Sequence, residues 1–363
     1  MKIVFRADAS LDIGTGHIMR CLTLADALKS KGAECHFICR EHVGHLIAHV
    51  RIAGHEAHSL PLTRSEKTHA GQMDGSAPKH AQWLGVSQQE DALDSINVLK
   101  RIQPDWLVVD HYALDFRWES ELRPYADRLM VIDDLADRTH DCDLLLDQTY
   151  GRDSEEYRLL VPEACSLLCG SLYALLRPEF AQWRSYSLAR RARPELGHLL
   201  ITMGGVDRDN VTGRILETLA QGCLPESCCI SIVMGENAPW LDPVRQTAAQ
   251  LPWRASVIVG VKDMARLMAE SDLAIGAAGA TAWERCCLGL PTLLMVLADN
   301  QQAIAQSLQY AGAAQIIDQV SWKHGVVITE LLSERRRMTD MARAASEIVD
   351  GMGAERLVYK IYG

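Results

Sequence analysis

Short apolar runs alternate with amphipathic stretches along the first half of the chain. Apolar runs predict buried β-strands at residues 3–5, 35–39, 106–109, 129–132 and 144–146. The stretches at 92–102 and 118–125 carry apolar side chains at helical spacing. An alternation of strands and helices predicts βαβ units around a parallel sheet.

The same alternation returns in the second half. Apolar runs there predict strands at residues 198–202, 229–233, 256–259, 273–275 and 292–296. Helices are predicted around 264–268, over 281–288 and over 334–350, where apolar residues recur three and four positions apart. The second half is therefore also predicted to be an α/β unit.

Two segments break the alternation. Residues 62–90, rich in Ser, His, Gly and Gln, predict a long and partly mobile insertion. Residues 177–197 combine clustered arginines with proline and predict a linker. Since 363 residues suffice for two cores, we predict an α/β protein with two Rossmann-like domains facing a central cleft. The domains span 1–176 and 198–340, and a helical tail follows at 341–363.

The composition narrows the function classes. A net charge of −10 and a pI near 5.7 argue against nucleic acid as a partner. Eleven cysteines, an odd number without a Cys-x-x-Cys motif, predict reduced and mostly buried thiols in the cytosol. The N-terminus predicts a strand rather than a signal peptide, and no apolar run is long enough for a membrane span. We expect a cytoplasmic monomer without membrane contact, metal or cofactor.

A glycine turn at residues 13–20 carries the most informative chemistry. Gly14 and Gly16 let a ligand approach the backbone, and the helix start that follows attracts an anion. His17 lies in this turn, and an imidazole with an ordinary pKa of about 6.5 can take up a proton near neutral pH. The third glycine of a dinucleotide fingerprint is missing, so an oxidoreductase is not predicted. The turn predicts a nucleotide-sugar site with a base, with a simple helix cap as the alternative.

A second glycine-rich loop occupies residues 276–280. Its small residues leave room for a diphosphate against the start of the predicted helix. The sequence from Thr281 to Glu284 also fits a capping box, in which the glutamate turns back to the helix start. Glu284 is thus either a cap or a ligand for ribose hydroxyls, and spacing alone slightly favours the cap. Residues 299–302 offer a second polar contact or another helix cap.

Polar residues also follow two strands of the first half. Asp110, His111 and Tyr112 end one strand, and adjacent strand residues point to opposite faces, so the first two need not touch. We rank His111 and Tyr112 ahead of Asp110 for a direct role. The carboxylates at 133–134 are interpreted as turn formers rather than a metal-binding pair. No Gly-x-Ser-x-Gly elbow supports a serine hydrolase.

Six segments taken together resemble one known family. They include Ile-Gly-Thr-Gly-His-Ile-Met-Arg-Cys at 13–21 and Gly-Ala-Thr-Ala-Trp-Glu-Arg-Cys-Cys-Leu-Gly-Leu-Pro at 279–291; the others lie at 110–115, 170–180, 203–207 and 299–301. The chain resembles the UDP-2,4-diacetamido-2,4,6-trideoxy-β-L-altropyranose hydrolases of bacterial pseudaminic acid synthesis, relatives of the GT-B glycosyltransferases. This resemblance implies a GT-B-like fold and a UDP-sugar substrate that is hydrolysed to the free sugar and UDP.

The resemblance also implies roles for individual residues. His17 would be the general base, Glu284 would contact the uridine ribose, and Tyr112 and Asn300 would face the sugar. The predicted sugar-binding residues are Gly16, Arg20, Tyr112 and Asn300. The predicted UDP-binding residues are Gly14, Gly204, Gly205, Gly279, Ala280, Thr281 and Glu284.

The chemistry needs only one base. UDP leaves as an anion, so His17 alone would suffice to activate water for inverting attack at the anomeric carbon. A GT-B glycosyltransferase, with an acceptor hydroxyl in place of water, is the main alternative. A hydrolysing UDP-sugar 2-epimerase would usually need carboxylates at the sugar, and we find no convincing pair. His17 argues against a non-catalytic nucleotide-sugar-binding protein without excluding it.

Overall fold

The chain divides into two compact units. A computed structural model describes residues 1–62, 77–222, 224–317 and 326–363, without the side chains of a few residues inside helices. The first unit comprises Met1–Leu175 and Ala354–Gly363, and the second comprises Leu176–Gly353.

The first unit is built on a parallel sheet. Its described strands are β1 Lys2–Ala7, β2 Glu34–Arg40, β3 Glu56–Leu60, β4 Trp106–Asp110, β5 Arg128–Ile132, β6 Leu144–Asp147 and β7 Ser166–Cys169. They lie in the order β3-β2-β1-β4-β5-β6-β7. The helices between them are α1 Gly16–Ser30, α2 Ile47–Ile52, α3 Gln88–Ile102 and α4 Phe116–Leu122.

The second unit repeats this plan. Its described strands are β8 His198–Thr202, β9 Cys229–Met234, β10 Arg254–Val259, β11 Leu273–Ala277, β12 Thr292–Met295 and β13 Ala314–Ile316, in the order β10-β9-β8-β11-β12-β13. Its helices are α5 Pro178–Arg190, α6 Val211–Leu219, α7 Leu241–Ala249, α8 Met264–Glu270, α9 Thr281–Cys287, α10 Gln302–Tyr310, α11 Val326–Ser333 and α12 Arg335–Ile348.

Both sheets reverse their winding next to the first strand. The chain moves outward from β1 to β3 and then returns to add β4 on the other side, and β8 to β11 do the same. Ligands of open parallel sheets bind at the carboxyl ends of the strands beside such a reversal. The predicted α/β fold class with two Rossmann-like units is confirmed, and ligand positions are expected after β1, β4, β8 and β11.

The sequence missed strands at the sheet edges. β3 and β7 were not predicted, and each lies at an outer edge of the first sheet. By contrast, β4 is buried along its whole length because the sheet continues on both sides of it. Central strands therefore read as continuous apolar runs, whereas β3, with the sequence Glu-Ala-His-Ser-Leu, gives no such signal.

Two predicted segments, the linker and the tail, contain helices that pack in the two units. Residues 177–197, expected to be a linker, contain α5, because Pro178 occupies the first turn of the helix and is compatible with a helix start there. The expected tail at 341–363 includes the end of α12 and a further helix, α13 Gly353–Tyr362. Leu357 and Ile361 of α13 pack in the core of the first unit.

The predicted insertion lies partly outside the described residues, which do not include 63–76. Its remainder includes a short 3-10 helix, Ala81–Leu84, and the first turn of α3. No helix in the described part of the chain is long and apolar enough to cross a membrane.

Candidate active site

The glycine turn and the end of β4 lie at the same sheet edge. β1 ends at Ala7, which pairs in register with Asp110, the last residue of β4. The turn after β1 leads into α1, whose second residue is His17. The reversal of strand order therefore places the predicted base next to a carboxylate that is distant in sequence.

His17 and Asp110 form a buried pair. The Nδ1 atom of His17 lies 2.6 Å from Oδ1 of Asp110, and both side chains are buried. A carboxylate only accepts, so Nδ1 donates, which leaves Nε2 as the basic nitrogen of the neutral ring. No described residue forms a hydrogen bond with Nε2. Asp110 received a low rank because the sequence did not reveal this contact, which follows from the register of β1 with β4.

Arg20 fixes the other side of this carboxylate. Its Nε and Nη2 atoms donate to the two oxygens of Asp110, each over 2.7 Å, and Nη1 donates to Asp134 over 2.9 Å. Burial would raise the pKa of Asp110, but Arg20 and His17 outweigh it and hold that pKa below its usual value. Asp110 is therefore ionised, and Arg20, predicted to bind sugar, is engaged by protein carboxylates.

Tyr112 is enclosed by its neighbours. Its hydroxyl donates to Asp134, and its ring meets the His17 ring edge-on at 4.6 Å between centroids. Trp83 stacks on it at 5.8 Å, and the Arg138 guanidinium lies 5.9 Å from the ring centroid. Burial and the neighbouring carboxylate raise the pKa of Tyr112, so the phenol stays protonated. Tyr112 is 5% exposed.

The two adjacent aspartates after β5 have different partners. Asp133 accepts backbone N–H bonds from Leu135 and Ala136, as expected of a turn former. Asp134 instead contacts Arg20 and Tyr112 and so belongs to the candidate site. The sequence interpretation was correct for the first carboxylate and missed the second.

His111 belongs to a different buried group. Its Nε2 lies 3.3 Å from Asp8, whose other oxygen is 2.7 Å from Arg6. Arg6 also pairs with Asp91 on α3. Burial lowers the pKa of His111, so this imidazole is neutral at pH 7. The group fixes the carboxyl end of β1 and leaves His17 as the histidine of the site.

The corresponding position in the second unit is built from small residues. β11 extends to Ala277, two residues further than predicted, and α9 begins at Thr281. A Cβ on Gly276 would lie 2.6 Å from Nη1 of Arg285, whose Nη2 donates to the Ala277 carbonyl over 2.7 Å. The buried Arg285 thus fixes the loop through this hydrogen bond, and its side chain leaves room only for glycine at position 276.

The predicted capping box is not formed. The residue before α9 is Ala280, and no side chain caps this helix. Thr281 is the first helical residue, one position too late to act as the cap, and its Oγ1 accepts a hydrogen bond from Arg285 over 3.1 Å. Glu284 is therefore not the cap that spacing favoured.

Glu284 has little to hold its charge. Its side chain is 18% exposed, and the nearest cation is Arg177, 4.0 Å away. Burial raises the pKa of Glu284 to about 7, although Arg177 and Arg285 act in the opposite direction. Within the described residues, no donor forms a hydrogen bond with this carboxylate. It has room to accept hydrogen bonds from a ligand.

By comparison, the loop after β8 is tightly packed. Gly204 has a φ of +88°, and a Cβ on Gly235 would lie 2.0 Å from the carbonyl oxygen of Gly205, so two backbones pack tightly. The Asp207 carboxylate accepts from two N–H groups at the start of α6, each over 2.9 Å. This helix start therefore already carries an anion.

The remaining predicted residue is described only by its backbone. Asn300 lies in a short 3-10 helix, Asp299–Gln301, and its side chain is outside the described part of the structure. The adjacent Gln301 accepts a hydrogen bond from the Leu297 N–H over 3.0 Å.

The comparisons with known proteins agree with this arrangement. Residues 200–355 match the glycosyltransferase family 28 C-terminal domain. The chain is 27% identical over 312 residues to the UDP-2,4-diacetamido-2,4,6-trideoxy-β-L-altropyranose hydrolase of Campylobacter jejuni, covering 86% of this chain and 97% of that protein. The resemblance found in the sequence motifs is thereby confirmed.

Solved structures show the fold. MurG of Acinetobacter baumannii has a TM-score of 0.66 at 18% identity over 99% of both chains. The spinosyn rhamnosyltransferase SpnG with thymidine diphosphate has a TM-score of 0.68 at 17% identity over the full length of both chains. The protein therefore has the GT-B fold of these glycosyltransferases.

Proposed function

We propose that the protein hydrolyses UDP-2,4-diacetamido-2,4,6-trideoxy-β-L-altropyranose to the free sugar and UDP. The observation that carries the proposal is the buried pair of His17 and Asp110 at the reversal of the first sheet, with Nε2 of His17 unused by the protein. The sugar is taken from the Campylobacter jejuni relative, which aligns along 97% of its own length.

In the proposed step, Nε2 of His17 removes a proton from a water molecule. The water oxygen bonds to the anomeric carbon on the face opposite UDP, and the bond from that carbon to the UDP oxygen breaks. UDP leaves with the electron pair as a stable anion, so no acid has to protonate it. The anomeric configuration inverts, as in inverting glycosidases.

Asp110 is the proposed positioning residue of this step. By accepting from Nδ1, it keeps the proton of the neutral imidazole away from Nε2 and fixes the ring plane. It also stabilises the imidazolium that forms when the water is deprotonated. The paired Arg20 keeps the carboxylate ionised and in place.

The second unit is proposed to hold UDP. Glu284, which accepts no hydrogen bond from the described residues, would accept from the two ribose hydroxyls. Gly279, Ala280 and Thr281 would lie beside the diphosphate at a helix start that no side chain caps. The start of α6 is a poorer place because Asp207 already occupies it, which limits Gly204 and Gly205 to shaping the loop.

A glycosyltransferase is the second candidate. It is favoured by the match of residues 200–355 to the family 28 C-terminal domain and by the likeness to a rhamnosyltransferase structure. In that case His17 would deprotonate an acceptor hydroxyl in place of water. The same two sites would serve both reactions, so only turnover separates them.

The test is UDP release without an acceptor. Purified protein is incubated in EDTA with the proposed substrate and, as control, with UDP-N-acetylglucosamine, in water enriched in ¹⁸O. We expect release from the first substrate only, with ¹⁸O in the sugar and the inverted anomer formed first by NMR. The label in UDP would contradict attack at carbon. No release from either substrate would contradict the proposed hydrolysis and favour a transferase or another sugar.

A further inference from the structure

Two aromatic side chains extend the site toward solvent. His80 precedes the short 3-10 helix Ala81–Leu84, Trp83 lies within it, and their ring centroids are 4.4 Å apart. Both are only half-buried. Both contact the Tyr112 ring, at 5.5 and 5.8 Å, and that ring contacts His17. A continuous set of rings thus leads from the proposed base to a partly exposed surface.

Tyr112 itself offers little surface to a ligand. Trp83 stacks on its ring at an interplanar angle of 28°, Arg138 lies over the ring, and the hydroxyl donates to Asp134. Since Tyr112 is 5% exposed, a sugar close to His17 would meet its neighbours first. The side chains that cover Tyr112 are therefore better placed than Tyr112 for the sugar contact that the family resemblance implies.

The half-buried rings of His80 and Trp83 fit the apolar groups of a sugar. Burial lowers the pKa of His80, with Lys79 adding to the effect, so the imidazole is neutral at pH 7. The proposed sugar carries three methyl groups, two on the acetamido groups and one at C6. UDP-N-acetylglucosamine has one acetyl methyl and a polar hydroxymethyl group at C6. Aromatic faces favour the more methylated ring because they bury apolar area without desolvating hydroxyls.

We infer that His80 and Trp83 form a sugar-recognition surface that selects the diacetamido, 6-deoxy sugar, and that Tyr112 positions this surface against His17. The identity of the sugar rests on the proposed function, whereas the presence of a sugar-contacting surface rests on the ring geometry.

The test separates sugar contact from nucleotide contact. Binding of the intact sugar nucleotide and of UDP alone is measured by calorimetry in a His17→Asn background, which slows turnover. Trp83→Ala should weaken binding of the sugar nucleotide about tenfold or more and leave UDP within about twofold. Trp83→Phe should retain most of the affinity because it keeps an aromatic face. Trp183→Ala, which removes a half-buried tryptophan of the second unit, should change neither ligand.

Activity provides the second readout. With His17 restored, Trp83→Ala should raise KM for the diacetamido sugar nucleotide far more than it lowers kcat, and reduce the preference over UDP-N-acetylglucosamine. If Trp83→Ala yields too little folded protein, His80→Ala is measured in the same way. Equal losses for UDP and for the sugar nucleotide would overturn the inference, because they would indicate a structural role.

The two proposals can fail separately. If the wild-type protein hydrolyses the substrate and neither Trp83→Ala nor His80→Ala changes the KM, the proposed function stands and the proposed recognition surface is refuted. A protein that does not hydrolyse the sugar nucleotide but binds it through Trp83 would retain the surface and lose the proposed reaction. Loss of both, with no binding of the sugar nucleotide, would overturn both proposals.

Discussion

The two units use the same strand order to build opposite kinds of site. Charged side chains occupy the sheet edge after β1 and β4, where Asp110 contacts both His17 and Arg20. After β11, the loop is made of glycine and alanine, and α9 starts without a side-chain cap. The charged groups of the first site are paired with one another, while the second site leaves backbone groups and the Glu284 carboxylate available to a ligand.

The buried carboxylates show the same difference. Asp110 and Glu284 are both removed from water, but Arg20 forms two hydrogen bonds with the first, while Arg177 only reaches 4.0 Å from the second. The pKa of Asp110 consequently falls and that of Glu284 rises to about 7. A site that moves a proton gains from groups fixed before substrate arrives. A site that binds a nucleotide can leave its acceptor to be satisfied by the ligand.

The largest effect is expected at His17, the proposed base. His17→Asn or His17→Phe should lower kcat by about 10²–10⁴, the usual contribution of a positioned base, and leave UDP affinity nearly unchanged. Steady-state UDP release and calorimetry with UDP measure the two quantities. Near-full activity in either variant would contradict a role of His17 in the reaction and, with it, the proposed contrast between the two sites.

The next effect is expected at Asp110, the proposed positioning residue. Asp110→Asn should lower kcat about 10- to 100-fold with KM little changed, because an amide oxygen still accepts from Nδ1 but no longer carries charge. It should also lower the free energy of unfolding by about 3 kcal/mol, since Arg20 loses a buried partner. UDP release and urea unfolding are the measurements.

Asp134→Asn is the matched control for Asp110→Asn. Asp134 pairs with the same arginine but does not touch His17. We expect it to reduce stability while kcat falls much less. Equal losses of kcat in the two variants would show that Asp110 acts only through the stability of the network.

The sequence predicted the glycine turns but not the contacts between residues that are distant along the chain. His17 was predicted as the base because glycine, histidine and a helix start are adjacent in sequence, a local signal. Asp110 was ranked low because its partner lies 93 residues away and is fixed only by the register of β1 with β4. The same limit applies to Asp134 and Trp83, which reach the site through β5 and a short 3-10 helix.

A helix boundary produced the other error. Shifting the start of α9 by one residue turned Thr281 from a cap into the first helical residue and released Glu284 from its expected backbone bond. Boundaries of this kind depend on how the loop packs on Arg285, which no local pattern records. The resemblance assigned Glu284 to the ligand, as the structure now allows, for a reason that spacing could not supply.

Glu284→Gln should have opposite effects on stability and binding. The pKa of this carboxyl in the folded protein is about 7, above its ordinary value of 4.5. The folded state thus binds more protons than the unfolded state between these values, and stability falls as pH rises through about 4.5 to 7. At pH 8 the free energy of unfolding of the variant should exceed that of the wild type by up to about 3 kcal/mol. Solvent screening of the partly exposed carboxylate reduces this gain.

UDP binding measures the other half of this prediction. The amide should accept the ribose hydroxyls less well, so the Kd for UDP at pH 8 should rise about tenfold. Glu284→Asp, which keeps the charge on a shorter side chain, is the control and should not gain the same stability. A Glu284→Gln variant that loses stability at pH 8 would mean that the folded protein holds this charge well, contrary to the contrast with Asp110.

The smallest effect is expected at the helix start. Thr281 accepts one hydrogen bond from Arg285 and caps nothing, so Thr281→Ala should cost no more than about 0.5 kcal/mol in unfolding free energy. Ser87 does cap its helix, α3, by accepting from the Glu90 N–H over 3.1 Å, and Ser87→Ala should cost about 1 kcal/mol. Urea unfolding at one pH compares the two. If Thr281→Ala weakens UDP binding several-fold while leaving stability intact, its hydroxyl contacts the nucleotide; a stability loss equal to that of Ser87→Ala would show that this helix start is closed after all.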